Sequence, residues 1–303
     1  MSIKTLTVEY DPAKERGVFS RGETLTGRVV LELAKDTKIE CLSVTAKGKA
    51  SVFWTESYIY AIVSYKAKQH FFSTTKILLE RARPESKVLS AGRHVFPFSF
   101  DIPDIDLPKC WVGRHGHISY FLEARVSRSM RLDCKERTTF TVTSIETSTK
   151  INPFIINRLY IYIYLFITTA SYFTGEGLEI TTQITNNSKD TTVTPKYIFY
   201  EKQSFFCKNK RKVHTRHIVE EKGDPVQAGQ QVTQTQVLQI PNILKSTLLN
   251  CNIVKQEYRL EVTLDVPQER DSEIKLPLII LLGSPKPQQQ KPKRSIWFRK
   301  LIG

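Results

Sequence analysis

Apolar and polar residues alternate with a period of two along most of the chain. Leu25, Val29, Leu31 and Leu33 fall on one side of an extended segment, and Thr26, Arg28 and Glu32 on the other. This is the pattern of a strand with one buried face. It returns in Leu42, Val44 and Ala46 against Ser43, Thr45 and Lys47, and in Phe96, Phe98, Phe100 and Ile102 against Pro97, Ser99 and Asp101. Ile118, Tyr120, Leu122, Ala124 and Val126 form another such row, and Tyr258, Leu260, Val262, Leu264 and Val266 alternate with Arg259, Glu261, Thr263 and Asp265. Pro97 has no N–H to give to a ladder, so its strand belongs at a sheet edge or has this position facing outward. Apart from the C-terminal tail, no long stretch shows amphipathic helical spacing, and turns of Gly, Pro, Asn and Asp separate the strands. The predicted class is all-β, built as sandwiches rather than as an α/β enzyme fold.

The pattern also repeats. Ala91-Gly92 leads into a strand ending Ile102-Pro103, and 17 residues after Pro103 comes Tyr120-Phe121-Leu122-Glu123. In the second half, Ala228-Gly229 leads to Ile240-Pro241, and 17 residues after Pro241 comes Tyr258-Arg259-Leu260-Glu261. Upstream of each block, Gly22-Glu23-Thr24-Leu25 and Gly175-Glu176-Gly177-Leu178 open a strand from a glycine turn. Recurring turn chemistry in a recurring order implies one sandwich topology used twice. A length of 303 residues accommodates two such domains. The expected division is residues 1–150 as the first sandwich, 151–173 as a connector with an apolar run, 174–283 as the second sandwich and 284–303 as a basic flexible tail.

Charge adds a surface to this picture. Lys and Arg number 45 against 30 Asp and Glu, a formal net charge of +15. Residues 284–303 hold six of the cations and no acid, leaving +9 for the rest. A second cluster, Lys208, Lys210, Arg211, Lys212 and Arg216 with His214 and His217, lies between strand-like segments and reads as a solvated basic hairpin; no nucleic-acid motif accompanies it, and no nucleic-acid partner is expected. Basic balance favours encounter with anionic surfaces, a membrane leaflet among them. Five scattered cysteines with no Cys-x-x-Cys pair, and an N-terminal stretch without an apolar signal core, point to a reducing compartment. Asn186-Asn187-Ser188 is then a chance match to a glycosylation acceptor.

At Leu89-Ser90-Ala91-Gly92-Arg93-His94-Val95-Phe96-Pro97-Phe98-Ser99-Phe100-Asp101-Ile102-Pro103, followed by Gly113-Arg114-His115-Gly116-His117-Ile118-Ser119-Tyr120, the sequence resembles the arrestin-domain-containing proteins, or α-arrestins. Similar blocks occur at Gly22-Glu23-Thr24-Leu25-Thr26-Gly27, at Ala46 to Trp54, at Val193-Thr194-Pro195-Lys196 and at Leu249 to Tyr258. The resemblance covers about Ile3 to Gly283. It implies two immunoglobulin-like sandwiches in tandem, no catalytic activity, no cofactor, and an adaptor role in the trafficking of membrane proteins. Implied partners are cytoplasmic segments of membrane proteins, other α-arrestins and, indirectly, HECT-type ubiquitin ligases. Three departures stand out. None of the 14 prolines adjoins another, so the Pro-Pro-x-Tyr motif with which family members recruit WW domains is missing. Residues 151–170 are unusually apolar where the family has a linker and an ordinary strand. Met130 follows Ser129 where the family has Pro-Trp.

The remaining candidates are constellations of side chains. Cys110, His115 and His117 suit zinc by type, but a closed site needs a fourth ligand, so His115-Gly116-His117 reads as a loop and no metal is expected. No nucleophile elbow, phosphate-cradling glycine loop or His-Glu-x-x-His occurs. Lys14 and Arg16 lie near the first strand without a motif that marks them as a phosphate sensor. Within residues 154–170, Asn157 and Arg158 leave only 12 uninterrupted apolar positions, short of the ~20 needed to span a bilayer. The Tyr160-Ile161-Tyr162-Ile163-Tyr164 alternation suits a strand buried on both faces; a membrane segment and an error in the coding sequence are the alternatives. In the tail, Lys291, Lys293, Arg294, Trp297, Phe298, Arg299 and Lys300 have the composition of an interfacial membrane anchor, against which stands a disordered end. The reading is a non-enzymatic cytoplasmic adaptor, peripheral at the plasma membrane or endosomes. A retromer-type sorting subunit of the same fold is the same-class rival, and a metal-dependent enzyme using Cys110, His115 and His117 the different-class one.

Overall fold

The computed structural model describes residues 2–11, 17–80, 88–128, 131–143, 154–158, 161–266 and 272–283. Those residues contain strands and no helix. The first half holds β1 (Ile3–Tyr10), β2 (Val18–Phe19), β3 (Thr24–Leu33), β4 (Thr37–Lys38), β5 (Cys41–Tyr58) and β6 (Ala61–Glu80), followed by β7 (Val88–Leu89), β8 (Gly92–Asp101), β9 (Trp111–Val112), β10 (Gly116–Arg128) and β11 (Arg131–Val142). The second half holds β12 (Phe154–Arg158), β13 (Ile161–Ile167), β14 (Ser171–Phe173), β15 (Gly177–Asn186), β16 (Thr194–Cys207), β17 (Lys210–Lys222), β18 (Gln231–Gln239), β19 (Val254–Asp265) and β20 (Ser272–Leu281).

Apart from β12 and the small β4-β7 pair, the two halves share one topology. In the first, β1-β3-β8 faces β2-β11-β10-β5-β6; in the second, β12-β13-β15-β18 faces β14-β20-β19-β16-β17. Even the short parallel pairings correspond, β2 with β11 and β14 with β20. The repeated glycine turns explain why. Gly22 and Gly175 sit at φ +73° and +89°, a region that L side chains rarely adopt. Each N–H then donates to the carbonyl of the distant Ile-Pro pair, Gly22 to Ile102 (3.0 Å) and Gly175 to Ile240 (2.9 Å). The next residue closes the turn with its carboxylate, Glu23 accepting from the Ser20 N–H (2.8 Å) and Glu176 from the Phe173 N–H (2.7 Å). The tyrosines at equal spacing match as well: the Tyr120 hydroxyl donates to the Pro108 carbonyl (2.5 Å) and that of Tyr258 to the Lys245 carbonyl (2.6 Å). Each is buried, and each ties its strand to the loop that precedes it.

Strand faces follow the alternation. Leu25, Val29, Leu31 and Leu33, and likewise Ile118 to Val126 at alternate positions, are buried. Pro97 lies on β8, the last strand of its sheet, and is exposed. The expected connector is corrected. The apolar segment supplies β12, β13 and β14, with β13 pairing β15 from Ile161↔Asn186 to Ile167↔Ile180, so it belongs to the second sandwich. Burial on both faces of that segment is corrected too. Ile163 and Leu165 point into the core, whereas Phe166 is 43% exposed, because β13 is central in its hydrogen-bonded sheet but only one face of that sheet meets the other layer. Lys14, Arg16, Ser129, Met130 and the tail candidates lie outside the described residues.

Phe98 packs in the first core beside Phe100, at a ring distance of 5.6 Å, while Ser99 faces outward. Phe98→Ala is expected to lower the unfolding free energy by ~3–5 kcal/mol and Ser99→Ala by less than about 0.5 kcal/mol in urea titrations. Equal losses would mean the face is assigned wrongly.

Candidate functional site

The two sandwiches do not merely adjoin. Phe205, Cys207, Leu248, Cys251 and Val254 of the second half pack into the apolar core of the first. Polar groups make this seam directional. Trp111, buried on β9, donates its indole N–H to the side-chain oxygen of the fully buried Gln256 (2.6 Å). The Gln256 amide donates to the Tyr258 hydroxyl (2.9 Å), whose own proton goes to the Lys245 carbonyl. Lys245 in turn donates to the Val112 carbonyl (2.6 Å), and Lys109 to the Ser246 hydroxyl. The Gly113-Arg114-His115-Gly116 turn fits because it lacks side-chain bulk at both ends. A Cβ on Gly113 would fall 1.9 Å from the Trp111 ring, and one on Gly116 would fall 2.9 Å from the Ser51 carbonyl and 3.3 Å from Val254 of the other domain.

That turn delivers His115 to His214 on β17. Their Nε2 atoms are 2.8 Å apart and their rings stack at 4.9 Å, with Phe205 edge-on to both. A contact of this length needs one N–H donor and one lone pair, so only one of the two facing nitrogens carries a proton. Burial holds the His115 pKa below the ordinary imidazole value, assisted by His214, Arg114 and Lys212; burial, Arg114 and Lys212 do the same for His214. The rival metal set of Cys110, His115 and His117 is not brought together. Cys110 points to the Phe140 carbonyl and its thiol pKa is raised by burial, while His117 sits on the exposed face of β10. No group of three metal-ligating side chains occurs among the described residues.

Beside the seam, the outer face of the β10-β5-β6 sheet forms an open bay of about 1170 Å³. Register places His117 opposite Ser51 and Ser51 opposite Lys68, with Ser119–Lys49–His70 in the next row and Phe53 opposite Lys66. Small hydroxyl residues make the floor; Lys49, Lys66, Lys68 and Arg114 make the rim, and no carboxylate lines it. Lys49 and Lys66 lie over the rings of Phe121 and Phe53, each at 5.1 Å. The Lys49 pKa is lowered by burial and then by the charges of Arg137, Lys68 and Lys47. Crowded like charges of this kind are eased by a bound anion.

The basic cluster read from the sequence is divided by the structure. Arg216 makes a two-nitrogen contact with the buried Glu201, Arg211 donates to Ser204 (2.8 Å), and Lys212 reaches Glu56 of the first domain (3.5 Å). Lys208 and Lys210 frame the β16–β17 turn, which abuts Ser64, Tyr65 and Lys66 of β6. Lys291, Lys293, Arg294, Trp297, Phe298, Arg299 and Lys300 are not among the described residues. One feature escapes sequence reasoning altogether: β5 and β6 keep one register from Lys49↔His70 to Tyr58↔Ala61, so Ile59 and Tyr60 form the whole turn and are 91% and 96% exposed. With no Gly, Asn or Pro in Tyr58-Ile59-Tyr60-Ala61-Ile62-Val63, the segment reads as a continuous buried strand.

Comparison with known proteins agrees with this architecture. Residues 6–148 match the arrestin (or S-antigen) N-terminal domain and residues 161–287 the arrestin (or S-antigen) C-terminal domain. Arrestin domain-containing protein 4 of Mus musculus is 26% identical over 300 residues, covering 92% of this chain and 72% of the relative; that of Homo sapiens is 25% identical, covering 92% and 71%. Thioredoxin-interacting protein of Mus musculus is 23% identical over 302 residues, covering 92% and 73%.

The histidine pair makes the seam sensitive to acid. Both folded-state pKa values lie below that of the unfolded chain, so the unfolded chain takes up protons first as pH falls. The pair's contribution is complete above about pH 6.5 and drains away as pH drops through the depressed folded values. Melting temperature is expected to fall as pH drops below about 6.5, with a shallower slope in His214→Phe. An unchanged slope in that variant would show that the pair does not carry the effect.

Proposed function

Because the chain belongs to the arrestin family, a class of non-catalytic scaffolds and adaptors, we propose that it is a cytoplasmic adaptor in endocytic or endosomal trafficking that holds cytoplasmic segments of membrane proteins at the plasma membrane or endosomes. The observation that carries this reading is a pair of long end strands whose outer edges pair with no other strand among the described residues, that of β6 being met by the second domain near Lys66 and Gln69. β6 and β17 each end their sheet and each pairs with one strand only. An extended peptide can add to such an edge through main-chain hydrogen bonds, with side chains selecting the sequence. Lys210 and Arg211 at the start of β17, which have no carboxylate partner among the described residues, discourage pairing with a second copy of the same edge and favour an acidic segment. No helix among the described residues is long and apolar enough to cross a membrane. Ligase coupling, on this reading, runs through another arrestin-domain protein that carries Pro-Pro-x-Tyr.

Two experiments test it. Proximity labelling in the native cell should return membrane proteins with acidic cytoplasmic segments together with coat or ligase neighbours. For a segment so identified, N-methylation of alternate amides should weaken binding to the purified protein by at least about tenfold, since strand addition needs those N–H groups. Undiminished binding would rule out edge addition. Isolated WW domains of HECT-type ligases are expected to show no low-micromolar binding to this chain, which has no adjacent prolines; binding at that level would overturn the indirect route.

A further inference from the structure

The β5–β6 hairpin tip exposes Tyr58, Ile59, Tyr60 and Ile62 at 55%, 91%, 96% and 73%. Stability does not account for them. A two-residue turn favours Gly, Asn or Asp, and isoleucine and tyrosine at its apex lose burial without gaining turn geometry. Nor is the tip loose. Trp54 stacks on Tyr65 at 5.1 Å, and Glu56 accepts from the Trp54 indole (3.3 Å) and the Tyr58 hydroxyl (3.0 Å). Glu56 also binds Lys212 across the seam, so the acid nearest the apex is already compensated.

Behind this apolar apex stand cations from both domains. Lys66, Lys68 and Arg114 rim the bay, and Lys208 and Lys210 come from the neighbouring turn. None of the five has a carboxylate partner among the described residues, whereas Arg216 and Lys212 do. At ~3.3 Å per residue, the five positions from Ala61 to Lys66 put the front of this collar, Lys66 with the neighbouring Lys208 and Lys210, about 17 Å behind the tip. Insertion of the tip by ~5–10 Å, the usual depth of an interfacial element, brings the collar within about a Debye length of the headgroups.

The geometry points to a docking surface for an anionic membrane leaflet, in which the hairpin tip enters the interface and the two-domain collar meets the lipid phosphates and carboxylates. Charge decides the occupant. A second copy of this chain, or its own tail with six cations and no acid, would bring positive charge against positive charge. The tip is also convex, suited to entering a deformable interface rather than to receiving a helix. An anionic leaflet supplies both the apolar layer and the counter-charge. This surface deepens the membrane placement proposed above, and because its assay contains lipid but no cargo, its failure is separable from failure of the adaptor reading.

The test is co-sedimentation of the full chain with vesicles of phosphatidylcholine alone or with about one quarter phosphatidylserine. Binding is expected only to the anionic vesicles and should weaken as salt rises. Ile59→Ser with Tyr60→Ser should reduce it by about tenfold or more, at unchanged melting temperature because both side chains are exposed. Lys66→Gln, Lys68→Gln and Arg114→Gln together should also reduce it and flatten its salt dependence. Ile59→Trp should add emission that lipids brominated near the headgroup quench. Absence of binding by the parent chain overturns the proposal, as does equal binding by the tip variant. Loss of binding on Trp297→Ser with Phe298→Ser, while the tip variant retains it, assigns attachment to the tail and overturns the proposal. A tip variant that keeps vesicle binding but loses an identified cytoplasmic segment overturns it in favour of a protein partner.

Discussion

The bonded chain from the Trp111 indole through Gln256 and Tyr258 to the Lys245 carbonyl is the constraint on which the arrangement of the molecule depends. Apolar contact alone would let two sandwiches slide against one another, since burial of Phe205, Leu248 or Val254 is nearly indifferent to direction. Gln256 is fully buried, and while its NH2 is held within its own domain by the Tyr258 hydroxyl, its side-chain oxygen finds its donor only when Trp111 of the other domain is in place. A buried polar group left without a partner costs ~1–3 kcal/mol, and a slip of the seam would strand the Gln256 oxygen and the Trp111 N–H together. The seam therefore fixes an orientation as well as an association.

That orientation turns two hairpins from different domains into one surface. The β16–β17 turn reaches β6 at Lys66, whose carbonyl accepts from the Cys207 thiol (3.2 Å), and Lys212 closes on Glu56. Gln69 of β6 reaches the other way, accepting from the Asn252 N–H (2.9 Å). The collar, which sets Lys66 of one domain beside Lys208 and Lys210 of the other, is thus held by contacts that neither domain could make alone. A rigid display of this kind lowers the entropy lost when a partner binds.

What could be read in advance follows from the range of each interaction. Alternation is local, so the faces of β3, β5, β10 and β19 were legible, as was the duplicated Gly-Glu turn. In β19 the buried phase runs Val254, Gln256, Tyr258, Leu260, so a glutamine stands in step with core residues just upstream of the row that the alternation marks. Its partner Trp111 lies 145 positions away, beyond any periodicity. The segment at β12 and β13 misled because aromatic residues on one side of the alternation and aliphatic residues on the other imitate a strand with two buried faces. The tip was invisible for the opposite reason: its turn has none of the residues that ordinarily mark one, and only the Tyr58↔Ala61 register reveals where the chain reverses.

The net charge of +15 tells little until its partners are known. Arg216 and Arg137 are neutralised by Glu201 and Glu123, and their work is internal. Lys49, His115 and His214 are perturbed in another way, by burial and by the company of other cations. In a catalytic centre, shifted groups of opposite tendency converge on an enclosed cavity, where one gives and another takes a proton. Here the shifts share one direction and surround an open face, so no member of the set offers a base complementary to an acid. Such a field lowers its energy by drawing in counter-charge, which steers an anionic partner from a distance of about a Debye length and weakens with salt. Binding rather than proton transfer is the chemistry that this distribution supports.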